Sequence, residues 1–219
     1  DFDEKWANFA SDINQSSQEI SVIGITDYFS ISNYFKFKNL ISDGTITKEF
    51  ELIIPNIELR ITPVTGKSKP VNIHCLFDPN IDSEVEDRFL SKLSFNNGTS
   101  SFSAKRTELI RLGRVHSGNN KLPEDLAYDI GLRQYVVGFE DLKSIFKKDP
   151  DLRSQTIIVV SNNSSDGATG ITEHYKLLEG GSQMTATRLD VYKFSDAIFS
   201  SREKDVKYFS GLGTDSLEE

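Results

Sequence analysis

The sequence has very little cysteine and no long apolar stretch. Cys75 is its single cysteine among 219 residues, which excludes an intramolecular disulfide and fits a reducing compartment. No run approaches the roughly 18 apolar residues of a membrane-spanning helix, and no signal peptide is visible. We therefore predict a cytoplasmic protein that does not span a membrane.

Basic residues are also scarce, since 25 Lys and Arg stand against 33 Asp and Glu and the net charge is −8. This balance argues against a uniformly basic nucleic-acid surface. Residues 105–121 depart from it, because Glu108 is their only acid beside Lys105, Arg106, Arg111, Arg114, His116 and Lys121. Such a segment is either a charged helix face or a phosphate contact. In the second case we expect Arg111 and Arg114 to bind substrate.

A complete nucleotide-binding P-loop is missing as well. Gly66-Lys-Ser68 matches only the end of that motif, and Ile61 stands where its first glycine is required. A strand-like run follows instead of a helix. We therefore expect a turn here and exclude a P-loop nucleotide hydrolase.

The sequence does contain short apolar runs, typical of strands, that alternate with segments of helical periodicity. We predict strands over 20–26, 49–61, 71–77, 156–160 and 197–199. We predict helices over 3–16, 30–41, 82–93, 107–113, 123–132, 139–148, 183–193 and 201–210, with a polar loop over 96–103. The alternation indicates an α/β fold with a largely parallel sheet, formed by residues 1–219 as a single domain.

Three polar residues lie where apolar runs end, namely Asp27, Glu58 and His74. The carboxyl ends of parallel strands meet at one edge of a sheet, and these three side-chain types are ligands of divalent metals. The sequence therefore predicts a metal site. Each residue also has a simpler interpretation: Asp27 as a helix cap, Glu58 as a partner of Arg60, and His74 as a core histidine.

The same segments resemble the PHP family, the polymerase and histidinol phosphatase domain. Residues 24–31 (Gly-Ile-Thr-Asp-Tyr-Phe-Ser-Ile) resemble its Gly-Ile-Thr-Asp-His strand end, and residues 55–59 and 72–78 resemble its next two strands. Further similarity at 108–113, 161–168 and 194–200 extends through nearly the whole chain. The similarity is strongest to a bacterial subgroup in which a PHP domain is fused to an AAA-like or SMC-like ATPase.

This resemblance implies a distorted (β/α)7 barrel that binds two or three Zn, Mn or Fe ions and hydrolyses phosphoesters through metal-bound hydroxide. It implies that Glu58 bridges metals, that His74 is a ligand, and that Asp27 is a ligand or orients one. These three would be the catalytic residues. The implied partners are a linked ATPase and DNA or RNA, in nucleic-acid processing or defence against phage.

The chain also departs from the family pattern. The opening His-x-His strand and the closing Asp-x-His strand are absent, and Tyr28 stands where a histidine is usual. Asn162 or Asn163 replaces a later histidine and would instead contact substrate. We therefore expect an incomplete barrel, a segment of a larger protein, whose metal cluster is incomplete and which is inactive alone. The alternative is a catalytically inactive, PHP-derived scaffold that binds or regulates a partner.

Overall fold

A computed structural model describes residues 2–62, 70–162, 190–200 and 210, and the structural statements below concern these residues. The helices are α1 (Phe2–Gln15), α2 (Ser32–Ser42), α3 (Arg106–Ser117), α4 (Glu124–Gln134), α5 (Phe139–Lys148) and α6 (Pro150–Ser154). The strands are β1 (Val22–Tyr28), β2 (Leu52–Thr62), β3 (Val71–Phe77), β4 (Ser94–Asn97), β5 (Ser100–Ser103), β6 (Val137–Gly138), β7 (Thr156–Ser161) and β8 (Ala197–Phe199).

The main sheet has the strand order β1-β2-β3-β7-β8, and β6 pairs with the end of β2. Strand β3 runs antiparallel to both β2 and β7, whereas the β1–β2, β2–β6 and β7–β8 pairs are parallel. The predicted α/β class is confirmed. The sheet is mixed rather than largely parallel, and the described strands form no closed barrel.

The length of the β2–β3 connection explains the reversed strand. Only residues 63–70 lie between the end of β2 at Thr62 and the start of β3 at Val71. A parallel connection needs a crossover of about a dozen residues or more, whereas an antiparallel one can be short. The predicted turn at 65–70 lies almost entirely outside the described residues.

Alternating burial along β2 and β3 gives the sheet one apolar and one polar face. On the apolar face Ile57, Leu59 and Ile61 of β2 lie beside Ile73 and Cys75 of β3, and all five side chains are buried. Tyr34 and Phe37 of α2 and Leu142 of α5 join the same core cluster. Because side chains alternate along a strand, the intervening residues project from the opposite face.

Two predicted elements differ from the structure. The helix predicted over 82–93 is a 3₁₀ turn (Pro79–Glu84) followed by a π-helical turn (Glu86–Leu90), in which Ser91 N–H donates to the Glu86 carbonyl. The loop predicted over 96–103 is part of the β4–β5 hairpin. The polar composition of residues 96–103 led to the loop prediction, although the side chain of Phe102 points inward and is buried.

The other predicted helices and strands in the described ranges are present with small shifts in their bounds. Residues 190–194 are helical, and the rest of the helix predicted over 183–193 lies outside the described residues. The helix predicted over 201–210 also lies outside them except for residue 210. Within the described ranges, no helix has the length and apolarity needed to cross a membrane.

Helices α3 and α4 approach each other so closely that two glycines are needed at the contact. A Cβ atom at Gly113 would lie 1.8 Å from the Ala127 carbonyl oxygen, and one at Gly131 would lie 1.9 Å from the Leu109 carbonyl oxygen. Both obstructing atoms belong to the backbone of a helix and cannot move away independently. The α3–α4 pair therefore depends on the absence of side chains at these positions.

We predict that Gly113→Ala lowers the free energy of unfolding. Overpacking costs about 1–3 kcal/mol or more, which exceeds the gain of roughly 1 kcal/mol from replacing glycine in a helix. Urea denaturation followed by circular dichroism measures the change. Gly24→Ala is the control, because a Cβ atom there would meet nothing within 4 Å. Unchanged or increased stability of Gly113→Ala would contradict the close helix contact.

Candidate functional site

Glu58 and His74 are direct neighbours on the polar face of the sheet. The antiparallel register pairs Glu58 of β2 with His74 of β3, and the parallel register pairs Tyr28 of β1 with Glu58. Since paired residues project from the same face, all three side chains share it. His74 lies in the middle of β3 and not at a strand end, as the sequence had predicted. It is close to Glu58 because β2 and β3 pair at these two residues.

Asp27 projects from the other face and supports helix α2. It pairs with the buried Ile57 across β1 and β2. Its carboxylate accepts the backbone N–H of Tyr28 at 2.9 Å and that of Asn33, in the first turn of α2, at 3.0 Å. Ile31, not Asp27, occupies the N-cap position of α2, but the Asp27 carboxylate still satisfies a first-turn N–H of that helix, which is the function of a helix cap.

The three predicted ligands therefore do not converge, because the register brings Glu58 and His74 together and turns Asp27 away. Within the described ranges, no group of three or more His, Cys, Asp or Glu residues is arranged to hold a metal ion. The donors present, one carboxylate and one imidazole, are still of the types that Zn, Mn and Fe accept. The pair fits part of a metal site.

Asparagine amides orient both members of the pair. The Asn72 side-chain N–H donates to the Glu58 carboxylate. The Asn56 amide nitrogen lies 3.2 Å from His74 Nδ1 and 2.8 Å from Thr26 Oγ1. Burial lowers the pKa of His74 below its ordinary value, so the neutral imidazole predominates at pH 7. With Nδ1 at the asparagine, Nε2 is the ring nitrogen available to a ligand.

Arg60 adds a cation to the same face. It lies two residues after Glu58 on β2, and its guanidinium carbon is 4.4 Å from the centroid of the Tyr28 ring. Stacking of this kind orients the guanidinium plane, and one guanidinium N–H donates to the Arg133 carbonyl at 3.4 Å. Sequence reasoning considered Arg60 only as a partner of Glu58. The alternation of Asn56, Glu58 and Arg60 along β2 was the signal that they share a face.

A strained turn separates the two environments at the end of β1. Phe29 has φ 47°, in the left-handed region that bulky residues rarely adopt, and its side chain is buried. Its N–H donates to the Glu58 carbonyl at 3.2 Å, and its ring contacts Tyr135 with a centroid separation of 4.9 Å. This turn leaves Tyr28 on the polar face and directs the chain into α2. Nothing in the sequence signalled a positive φ at this phenylalanine.

The predicted substrate-binding residues have contacts within the chain. Asn162 is buried, and its side-chain oxygen accepts the Tyr192 hydroxyl at 3.0 Å; Asn163 lies outside the described residues. Arg111 lies 4.0 Å from the Phe102 ring centroid and pairs with Glu108 at 2.6 Å. Arg114 donates to the Leu122 carbonyl at 3.2 Å. The two arginines thus brace α3 against its neighbours, and substrate binding by these residues stays a prediction.

Comparison with models of protein families and with curated proteins returned no match.

We predict that Asp27→Ala destabilises the protein by about 1–2 kcal/mol, the usual cost of removing a helix cap. The change removes the acceptor of the Asn33 N–H at the start of α2. Asp27→Asn should cost less, since an amide oxygen still accepts. Urea denaturation measures both, with the exposed Asp129→Ala on α4 as the control. Equal stability of Asp27→Ala and Asp129→Ala would refute the capping role.

Proposed function

We propose that this chain contributes to a divalent-metal-dependent phosphoester hydrolase, with the cation held at the Glu58–His74 pair. The observation that carries the proposal is the register of β2 and β3, which sets a carboxylate directly opposite an imidazole on one face. The lowered pKa of His74 favours the neutral ring that metals bind. The second support is the resemblance of residues 24–31, 55–59 and 72–78 to the PHP family.

An unsatisfied polar atom beside the pair also supports a ligand on this face. Within the described ranges, the side-chain oxygen of Asn72 is buried and has no hydrogen-bond partner. Buried polar atoms are nearly always paired in folded proteins. A cation, its coordinated water or a substrate at this face would supply the missing partner.

Each residue of this face would have a separate role in binding the cation or the substrate. A divalent cation lowers the pKa of water and withdraws charge from phosphate oxygens. Glu58 and His74 would hold it, and Asn72 and Asn56 would keep their side chains oriented, as partners of metal ligands commonly do. Arg60 would bind a phosphate oxygen through guanidinium N–H groups other than the one that donates to the Arg133 carbonyl. The phenol of Tyr28, whose pKa burial raises, would stay protonated and act as a hydrogen-bond donor.

The remaining parts of the proposal rest on the resemblance to the PHP family. It supports a distorted (β/α)7 PHP barrel, a linked AAA-like or SMC-like ATPase as partner, and DNA or RNA as the phosphoester. It also supports a place in the cytoplasm.

Titration calorimetry of the metal-stripped protein with Mn²⁺ and with Zn²⁺ tests the cation site. We expect saturable binding that Glu58→Gln and His74→Asn each weaken tenfold or more, because each removes one of few ligands. Two matched controls are Asp27→Asn, on the opposite face, and His116→Asn, at an exposed position of α3. Neither should change the affinity.

Failure of the wild-type protein to bind either cation would overturn the proposal, as would an equal loss of affinity in Asp27→Asn. Hydrolysis of bis(p-nitrophenyl) phosphate by the full encoded protein then tests the reaction. It should require the cation and be lost in Glu58→Gln.

The second candidate is a non-catalytic scaffold that binds or regulates a partner protein. The capping bonds of Asp27 favour it, because they commit one of the three predicted ligands to helix α2. The hydrogen bond from Asn72 to Glu58 also satisfies that carboxylate without a cation. A folded, metal-free protein in the calorimetry experiment is the result that this candidate predicts.

A further inference from the structure

A cavity of about 400 Å³ lies beside the turn that follows β1, between this turn, α2, the π-helical turn and the start of α3. Its lining includes neither Glu58 nor His74. The cations Lys36, Lys105 and Arg106 line it together with one carboxylate, that of Glu86. In a chain of net charge −8, a concave surface with this excess of positive charge is unusual.

The cations can turn toward a ligand at little cost. Lys105 pairs with Asp87 at 2.9 Å and Arg106 with Asp125 at 2.8 Å, but these carboxylates are 82% and 97% exposed. Exposed ion pairs of this kind contribute little to stability. Lys36 forms no ion pair with any residue that the structure describes. A strongly charged anion would therefore compete well for all three.

The guanidinium of Arg106 stacks on a tyrosine ring beside the cavity. Its guanidinium carbon lies 4.5 Å from the centroid of the Tyr128 ring, which also lines the cavity. Burial raises the pKa of the Tyr128 phenol, so the hydroxyl remains a hydrogen-bond donor at neutral pH. Arginine held in this way presents donors whose geometry matches phosphate oxygens.

Hydroxyl groups and apolar side chains complete the cavity. Ser30 and Ser32 lie at the turn, and their hydroxyl oxygens are 2.5 Å apart. The apolar residues of the lining include Phe35, whose side chain is exposed, and the buried Phe29 and Leu90. Phe29 is the residue held at φ 47°, so the strained turn shapes this wall. A ligand that fits would have an anionic end and an aromatic or apolar body.

We propose that this cavity binds a small organic phosphate of about mononucleotide size, with the phosphate among Lys36, Lys105 and Arg106 and an apolar or aromatic body against the exposed Phe35. The volume lies within the range of small-molecule sites. The site is independent of the proposed hydrolase site, and its charges and walls select the ligand without a metal.

Titration of ¹⁵N-labelled protein with phenyl phosphate, in the presence of EDTA, tests the proposal. We expect saturable shifts of backbone amides at residues 30–36 and 105–106. Inorganic phosphate should bind more weakly, because it lacks the apolar body, and phenol should give no saturable shifts, because it lacks the charge. AMP should compete with phenyl phosphate.

Lys36→Gln and Arg106→Gln should each weaken the binding of phenyl phosphate roughly tenfold or more, since each removes a hydrogen bond between two charged groups. Lys121→Gln and Arg133→Gln remove exposed cations that do not line the cavity and should have no effect. Absence of saturable binding by wild-type protein would overturn the proposal, as would equal affinity in all four variants. Because EDTA removes divalent cations, neither result depends on the Glu58–His74 pair.

Discussion

The antiparallel pairing of β2 with β3 determines which side chains can act together in this fold. Its register sets Glu58 opposite His74 and buries Ile57, Leu59 and Ile73 on the other face. Because side chains alternate, a slip of one residue would exchange the two faces of a strand. It would bury His74 and expose apolar core residues. The polar face and the core are thus fixed by the same constraint.

The pairing of β1 with β2 likewise determines the surroundings of two residues at the end of β1. Tyr28 and Asp27 are adjacent in sequence and lie on opposite faces, so one joins Glu58 and the other caps α2. Phe29, at positive φ, follows Tyr28 directly and also lines the basic cavity. A strained residue of this kind persists only where surrounding contacts hold it, and such residues are frequent at functional sites. The candidate metal site and the proposed phosphate cavity thus lie on either side of one short turn.

Periodicity predicted those helices whose apolar residues repeat regularly, such as α1 and α5, and the strands whose buried face alternates. The direction of β3 could also have been predicted, because the short connection from Thr62 to Val71 excludes a helical crossover. The β4–β5 hairpin was missed although Asn97-Gly98 is a strong hairpin signal between Phe95 and Phe102. Gly98 has φ 61° at that turn.

The candidate site was less accessible to sequence reasoning than the fold. Placement at strand ends selected Glu58 and His74, but it could not separate them from Asp27, because face depends on register and register depends on tertiary pairing. The role of Arg60 follows from its position on β2 and its contact with Tyr28. The cavity unites residues from α2, α3 and α4 that no local pattern connects. Lys36 in particular has no sequence signal that links it to Arg106.

The register of β2 and β3 can be measured directly by isotope-edited NOE spectroscopy of the labelled protein. The register described above predicts cross-strand contacts between backbone protons of Glu58 and His74, together with those of the flanking pairs Asn56–Leu76 and Arg60–Asn72. Contacts that pair Glu58 with Ile73 or Cys75 would place His74 on the opposite face. A parallel pattern of contacts between the strands would be equally decisive. Either result would contradict the site on which the proposed function depends.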